Sequence, residues 1–490
     1  MATLLDVTVS GRRLGPIDHL HLGVFRGEGA PESLGRRERE AVERLLARPG
    51  WRAEEGRVRR GELGPKSSLA VVGLGARGGF TAIKLCKLVE AAAVEAQAAG
   101  VRRLAIALPE HEVSRGEAAG VRTARDAALA AYQFDSYRSE RKKSSLRAIV
   151  LLPPAGEGAA FRRGVEVGTA VAAGIARTRD LGNTPPNDAT PAWMASRARE
   201  LARRLKAKVQ VLGPPELRRR GMDGILAVGG GSRNPPRLVR LELGRGPTTI
   251  ALVGKGVTFD TGGISIKPAA QMDEMKWDKS GACTVLGILE AVARLDLPIR
   301  VRAYLPLAEN MPDGAAYRPG DIVRISNGKT VEILNTDAEG RMILADALAW
   351  AASEKPDALI EYSTLTGACV VALGHTGAGL FTPDDELAAE LLAAAGRTGE
   401  RLWRLPLWEE FLDEMRGAHA DLKNSGGRWG GASTAAAFLS QFVGSTRRWA
   451  HLDIAGPAYV GEGKERRGAT GFAVSFTVDW LRSLSGSKRR

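Results

Sequence analysis

Short apolar, strand-like runs alternate with helix-like segments along most of this chain, and this alternation limits the folds that it can adopt. Within the first 150 residues the strand-like runs are LLDVTVS, SLAVVGLG, RRLAIALP and LRAIVLLP, and residues 81–98 form the clearest helix-like stretch between them. Strands that alternate with helices are typical of layered α/β domains. A chain of 490 residues exceeds one ordinary domain. We therefore predict an α/β protein with two domains.

The boundary between the domains is predicted by a helix that two prolines end. The pattern from Gly164 to Leu181 is Ala-rich and helical, and it stops before Asn183-Thr-Pro-Pro-Asn187, because proline lacks the amide hydrogen that a helix interior needs. We predict a smaller N-terminal α/β domain, a linker that contains this helix, and a larger C-terminal α/β domain with a central mixed sheet, at residues 1–150, 151–182 and 183–490.

The apolar residues are spread through the chain in short runs. No run approaches the roughly 18 consecutive apolar residues of a membrane helix, and the N-terminus MATLLDVTVSGRR has no basic region followed by an apolar stretch. The three cysteines, Cys86, Cys283 and Cys369, are too few for a disulfide framework. We therefore expect a cytoplasmic protein with no membrane segment.

The chain is strongly basic, with 70 Lys and Arg residues against 56 Asp and Glu residues and a net charge of +14. Such a charge can indicate a partner that carries many phosphates, such as DNA. Only two short basic runs are found, at 138–147 and 488–490, so we favour arginines dispersed over a solvated surface. DNA binding stays an open alternative, which a steep loss of affinity with added salt would support.

Two glycine-containing segments imitate nucleotide-binding loops. Residues 73–79 follow a strand and partly match G-x-G-x-x-G, but no clear acidic residue follows about 20 positions later. We interpret them as a tight turn and keep an ADP-ribose-type binding module as the weaker alternative. Residues 326–330 look like the end of a P-loop, but Val323 stands where its first glycine should be. The Asn-Gly pair there predicts a hairpin turn instead.

The familiar signatures of zinc proteases and serine hydrolases, H-E-x-x-H and G-x-S-x-G, do not occur. The histidines also show no ligand spacing, apart from His19 and His21, which lie two residues apart. We expect structural roles for all six of them, and any metal site must then be built from oxygen ligands.

Four carboxylates stand where loops should leave strands, at Asp260, Asp278, Asp337 and Glu339. In open α/β sheets such loops form the ligand crevice. Asp337 and Glu339 are two residues apart, so an extended backbone would place both side chains on one side. Helix capping explains one carboxylate per helix, but not two that face the same way. The sequence therefore indicates a carboxylate cluster.

A cluster of four carboxylates is unstable unless cations offset its repulsion. Two divalent metals would do so, and hydrolases use pairs of metals roughly 3.5–4 Å apart to activate water. Lys255 and Lys267 share this region. Beside two cations the pKa of a lysine should fall, and a neutral amine could then bind a metal.

Six segments of the chain, in this order, resemble the signature segments of the leucyl (cytosol) aminopeptidase family. NTDAEGR is the most specific of them, and the resemblance covers about 165–485, whereas the first 150 residues share only size and α/β character. The segments are RDLGNTPPND (179–188), VGKGVTFDTGGISIKP (253–268), NTDAEGRM (335–342), STLTGA (363–368), ADLKNSGGRWGGASTAAAFL (420–439) and HLDIAG (451–456).

The resemblance implies a role for each candidate site residue. It implies a tighter metal held by Lys255, Asp260, Asp278 and Glu339. It implies a more exchangeable metal held by Asp260, Asp337 and Glu339. Lys267 would polarise the scissile carbonyl, and Arg341 would hold a bicarbonate ion as general base. The substrate pocket would be lined by Met275, Asn335, Thr364, Leu365 and Gly367. Trp277 departs from the family pattern and puts the side-chain preference of the pocket in question.

Together these observations predict a metal-dependent aminopeptidase whose larger domain is catalytic. It would release N-terminal residues from peptides, Leu-like ones preferred, through a water that bridges two metal ions, manganese or zinc. The resemblance also implies a homohexamer.

Overall fold

The computed structural model of the chain describes residues 4–10, 14–140, 144–461 and 468–486. The basic run at 488–490, and residues 141–143 of the other basic run, lie outside these ranges. Within them, no helix combines the length and the apolar composition that crossing a membrane requires. The chain divides into two compact units, a first unit at Met1–Ala176 and a second unit at Arg177–Arg490.

The first unit is a six-stranded sheet in the order β1-β6-β5-β2-β4-β3. Neighbouring strands are parallel except β3 and β4. The runs RLAIA and AIVLL are buried almost throughout, as expected for parallel strands covered on both faces. The strands β1–β6 are Asp6–Val9, His19–Val24, Val58–Gly64, Ser67–Gly73, Arg103–Ala107 and Ala148–Leu152, and the helices α1–α4 are Arg36–Leu46, Ala82–Ala98, Gly116–Leu129 and Ala159–Asn183.

The glycine-rich segment 73–79 is a tight turn between β4 and α2. A Cβ atom at Gly73 would lie 2.2 Å from the carbonyl oxygen of Glu54. Gly75 has a φ of +70°, which favours glycine. Close approach to the backbone at 53–54 and a left-handed residue therefore explain both glycines without a ligand.

The second unit is built on a larger mixed sheet, which confirms the predicted α/β class. The sheet has the order β16-β15-β18-β14-β9-β11-β8-β7, with β10 paired to β11. The strands β7–β20 are Lys208–Leu212, Arg237–Leu243, Thr249–Gly254, Gly256–Asp260, Arg300–Asn310, Ile322–Arg324, Thr330–Glu332, Ala358–Ser363, Ala378–Phe381, Leu402–Arg404, Leu422–Lys423, Trp449–Asp453, Tyr459–Val460 and Gly468–Ala469.

Helices cover this sheet, and a 3-10 segment at Met272–Trp277 precedes α8. Leu344, Leu348 and Ala351 are wholly buried on α9, and their spacing of three to four residues places them on one helix face. The Asn-Gly segment joins β12 to β13 in an antiparallel hairpin, in which Gly328 has a φ of +92°. The helices α5–α14 are Pro191–Leu205, Pro214–Arg219, Asp223–Val228, Ser280–Leu295, Glu339–Ser353, Gly367–Leu373, Asp385–Thr398, Glu409–Asp413, Gly431–Ser440 and Val474–Gly486.

Candidate active site

The central strands β11, β9, β14 and β18 run parallel, so their carboxyl ends meet at one edge of the sheet. Lys255 follows β9, Thr364 follows β14, and Asp260 ends β10. A cavity of about 450 Å³ opens at this edge. All twelve residues that the sequence singles out for the site line it: Lys255, Asp260, Lys267, Met275, Asp278, Asn335, Asp337, Glu339, Arg341, Thr364, Leu365 and Gly367.

Three of the four carboxylates form a compact cluster. One oxygen from each of Asp260, Asp337 and Glu339 lies within 4.8 Å of the others. The extended backbone predicted between Asp337 and Glu339 is wrong, because Asp337 lies in a turn and Glu339 is the first residue of α9. The turn into the helix, rather than strand alternation, brings the two side chains together.

Each lysine of the site bridges two carboxylates. The Nζ of Lys255 lies 2.8 Å from Oδ1 of Asp278 and 2.9 Å from Oε1 of Glu339. The Nζ of Lys267 lies 2.9 Å from Oδ2 of Asp260 and contacts Asp337 as well. When all four carboxylates are ionised, they exceed the two ammonium groups by two negative charges, and the site then favours further cations.

The buried charges shift one another's pKa in opposite directions. Burial alone would lower the pKa of Lys255, but the charges of Asp278, Glu339 and Asp260 outweigh it and hold this pKa above its ordinary value. Burial and the neighbouring carboxylates raise the pKa of Asp260 to about 8. The protein groups alone thus keep Lys255 protonated, and the neutral amine predicted from the sequence requires the added charge of metal ions.

The donors of this cluster suit divalent metal ions. Carboxylate oxygens are hard ligands that Mn²⁺ accepts, and Zn²⁺ binds them as well. Oδ2 of Asp278 is buried and accepts no hydrogen bond from any residue that the structure describes. A buried carboxylate oxygen without a donor is costly, and a bound cation would satisfy it. The residues present therefore fit the metals that the sequence predicts.

Arg341 lines the same cavity from α9. It is buried, and its Nη1 donates a 2.8 Å hydrogen bond to the carbonyl of Asn424. Its Nε finds no partner among the described residues. Burial lowers the pKa of Arg341 to about 10, against the opposing charges of Glu339 and Asp453, so the group is charged at neutral pH.

Family models match both parts of the chain. Residues 176–478 match the catalytic domain of the cytosol aminopeptidase family, and residues 29–141 match the N-terminal domain of the same family.

The chain belongs to the cytosol aminopeptidase family.

It is therefore a metal-dependent aminopeptidase. A probable cytosol aminopeptidase of Roseiflexus castenholzii is 44% identical over 483 residues, which cover 95% of this chain and 96% of the relative. A bottromycin maturation enzyme in complex with manganese has a TM-score of 0.83 and 38% identity, over 96% of this chain and 99% of that chain. A tomato leucine aminopeptidase mutant has a TM-score of 0.85 and 33% identity, over 98% of this chain and 97% of that chain.

One residue that orients a candidate ligand of this family member was not singled out from the sequence, and another has a second role there. Asn310, the last residue of β11, donates to Oδ1 of Asp260 at 2.8 Å. Thr364, predicted only to line the pocket, also donates to Oδ1 of Asp278 at 2.6 Å. A polar residue at the end of the apolar strand LPLAEN is a signal that could have identified Asn310.

Trp277 packs into the wall of the cavity. Its ring stacks on Tyr459, with the ring centroids 4.7 Å apart, and its Nε1 donates to Oδ1 of Asn183 at 3.1 Å. Both aromatic residues border the cavity. Trp277, for which we expect a departure from the family pattern, is thus part of an aromatic wall beside Asp278.

Proposed function

We propose that this protein is a two-metal aminopeptidase that releases N-terminal residues from peptides, with Leu-like residues preferred. The observation that carries the proposal is the grouping of four carboxylates, two lysines and one arginine around a single cavity at the edge of the sheet. The family membership supports the reaction class.

One metal ion would be held by Lys255, Asp260, Asp278 and Glu339, and a second by Asp260, Asp337 and Glu339. This assignment is supported by the 4.8 Å cluster and by the contacts of Lys255 with Asp278 and Glu339. Two divalent ions, when bound there, would supply the positive charge that acidifies a water, polarises the scissile carbonyl and binds a free α-amine.

Lys267 and Arg341 would complete the chemistry. Lys267 places an ammonium group in the cavity beside Asp260 and Asp337, where it would stabilise negative charge that develops on the carbonyl oxygen of the substrate. Arg341 would hold bicarbonate as the general base. This role is supported by its burial, its unpartnered Nε within the described residues, and the two-pronged geometry by which guanidinium binds planar anions.

The preference for Leu-like residues is supported by the apolar part of the cavity wall. Met275, Leu365, Val370 and Ala455 all border the cavity. Apolar surface of this kind binds aliphatic side chains by removing them from water. The choice between manganese and zinc, assembly into a hexamer, a cytoplasmic location and DNA binding stay predictions of the resemblance and of the net charge.

Hydrolysis of leucine p-nitroanilide tests the proposal. The purified chain is stripped of metal, resupplied with manganese or zinc, and compared with Asp337→Asn and Glu339→Gln. We expect added metal to restore activity. We expect each variant to lower kcat/KM by at least about 100-fold. This loss would exceed the loss caused by replacing a residue that only hydrogen-bonds to a metal ligand.

Glu386→Gln is the matched control, because Glu386 is an exposed carboxylate on α11 that pairs with Arg448 and lies outside the residues that border the cavity. This variant should keep wild-type kinetics. A wild-type protein that hydrolyses none of a panel of aminoacyl p-nitroanilides, with any metal, would refute the proposal.

A further inference from the structure

The loop that follows β14 forms one wall of the cavity, and hydrogen bonds to two side chains hold its first residue, Thr364. The carbonyl of Thr364 accepts a 2.9 Å hydrogen bond from Lys255, and its hydroxyl donates to Asp278 at 2.6 Å. Both partners are candidate metal ligands. The next two residues, Leu365 and Thr366, are held by a different group.

That group is Asp453, the wholly buried last residue of β18. Its Oδ1 accepts hydrogen bonds from the amides of Leu365 and Ala455, both at 3.2 Å. Its Oδ2 accepts from the hydroxyl of Thr366 at 2.6 Å. Leu365, Thr366 and Ala455 all border the cavity. One carboxylate therefore joins two separate segments of the same wall.

The position of Asp453 follows from the register of the sheet. Parallel pairing of β14 with β18 places Asp453 opposite Ser363, where both strands end, and places His451 opposite Glu361. His451 lies two residues before Asp453, hence on the same face of β18, and contacts Glu361. Burial raises the pKa of Asp453, whereas His451, Thr366 and the two amides favour its ionised form.

The hydroxyl of Thr366 also connects the loop to the next helix, α10. Its Oγ1 accepts a hydrogen bond from the amide of Cys369 at 3.0 Å and so caps the N-terminus of α10. The wall formed by residues 365–370 is thus fixed at its start by Asp453 and continued by a capped helix. Because these hydrogen bonds fix the wall, its distance from a bound substrate side chain stays constant.

We propose that Asp453 is a positioning residue that fixes the start of the 365–370 wall and thereby determines which N-terminal side chains the cavity accepts. This inference rests on the proposed function. Loss of the three hydrogen bonds would let the wall shift, and a misplacement of about 1 Å can lower catalysis by up to about 100-fold. A large side chain such as Leu touches more of the wall than Ala does, so it should lose more.

The test compares Leu and Ala p-nitroanilides in metal-saturated wild type, Asp453→Asn, Thr366→Val and Thr366→Ser. Asp453→Asn keeps the shape of the side chain but replaces an acceptor with a donor facing Thr366. We expect it to lower kcat/KM by about 10-fold for Leu, mainly through KM, and by less than about threefold for Ala. Thr366→Ser should keep more of the Leu-to-Ala ratio than Thr366→Val.

Thr398→Val is the matched control, because it also removes a buried hydroxyl, which donates to the carbonyls of Ala394 and Ala395 within α11 and does not border the cavity. It should leave the Leu-to-Ala ratio at the wild-type value. A merely structural role for Asp453 would lower the melting temperature of Asp453→Asn while the ratio stays within about twofold of wild type. That result would overturn the inference.

Amide hydrogen exchange of residues 364–368 provides a readout that needs no activity. We expect faster exchange of this segment in Asp453→Asn and unchanged exchange in Thr398→Val. If the chain is inactive with every metal, the proposed function and the role of Asp453 in substrate choice are refuted. Faster exchange in Asp453→Asn would then still support the anchoring of residues 364–368 by Asp453. Unchanged exchange would overturn the inference even in an active enzyme.

Discussion

The two units bury different kinds of polar side chain, although both are built on largely parallel central strands. Within the described residues, every buried Asp, Glu, Lys and Arg belongs to the second unit. Among the described residues of the first unit, the buried polar side chains are all uncharged or able to lose their charge, namely His19, His21, Ser33, Ser114 and Thr123. Burial of an ionised group is costly unless partners surround it. The comparison teaches that buried charge, rather than sheet architecture, distinguishes the catalytic unit.

Two lysines of the second unit show two uses of charge, one in a partly exposed side chain and one in a buried side chain. The ammonium of Lys267 lies between Asp260 and Asp337 in the cavity. Lys279 is fully buried, and it donates to the backbone carbonyls of Gly182 at 3.1 Å and Thr184 at 3.0 Å. The first lysine lines the cavity, whereas the second joins chain segments. Replacing each by methionine separates the two uses.

The largest expected effect is that of Lys267→Met on catalysis. Removing a positive charge aimed at the developing oxyanion should lower kcat/KM for leucine p-nitroanilide by about 10²–10³-fold. The fold should stay intact, because Lys267 is partly exposed and its methylene chain is retained. Steady-state kinetics and a thermal melt measure both quantities. A loss of less than about tenfold would place Lys267 outside the reaction.

Lys279→Met should act on stability instead. The carbonyls of Gly182, Thr184 and Lys276 would lose a buried donor, and the free energy of unfolding should fall by about 2 kcal/mol. The cost of burying the ammonium disappears in the variant and limits this loss. Urea denaturation followed by tryptophan fluorescence measures it, because Trp277 packs on the same segment through Asn183. An unchanged urea midpoint would contradict the prediction.

Much of this site could be predicted from the sequence, because its ligands lie within short contiguous segments. Lys255 and Asp260 lie directly at strand ends. The other candidate ligands and Lys267 lie in the loops that lead from strands to helices or at a helix start, and such loops meet at one edge of a sheet. The partnership of Asp453 with Leu365 could not be predicted in this way. It depends on β18 pairing with β14, and the order of strands along a chain does not specify which of them become neighbours.

Local backbone shape was predicted less well than proximity. The apolar run TTIALVGKGVTFD (248–260) predicts one strand but divides into β9 and β10. The helical pattern RMILADALAWAAS predicts a helix from Arg341, whereas α9 begins at Glu339. The helix predicted from Gly164 to Leu181 extends from Ala159 to Asn183 and ends two residues before the first proline. Helix ends and short breaks depend on local hydrogen bonds that hydrophobic periodicity does not encode.

The smallest expected effect concerns pH and the first unit. Burial lowers the pKa of His21 to about 4, an effect that Glu95 opposes and that His19 and Arg60 strengthen. The folded chain therefore keeps His21 neutral, whereas an unfolded chain binds a proton below about pH 6.5. The stabilising contribution is present above pH 6.5 and is lost as the pH falls toward 4. Linkage predicts a loss of about 1 kcal/mol between pH 7 and pH 5.5.

Hydrogen exchange of the β2 amides, corrected for intrinsic rates, measures this loss in wild type and in His21→Leu. The variant cannot bind the proton, so the protection of β2 should depend less on pH than in wild type. The amides of β9 in the second unit are the internal control and should respond equally in both proteins. An equal pH dependence of β2 in the two proteins would show that neutral burial of His21 does not make the first unit sensitive to acid. A weaker pH dependence of β2 protection in His21→Leu would extend the comparison between the units. The first unit would then lose stability when it gains charge, whereas the second unit depends on charge to function.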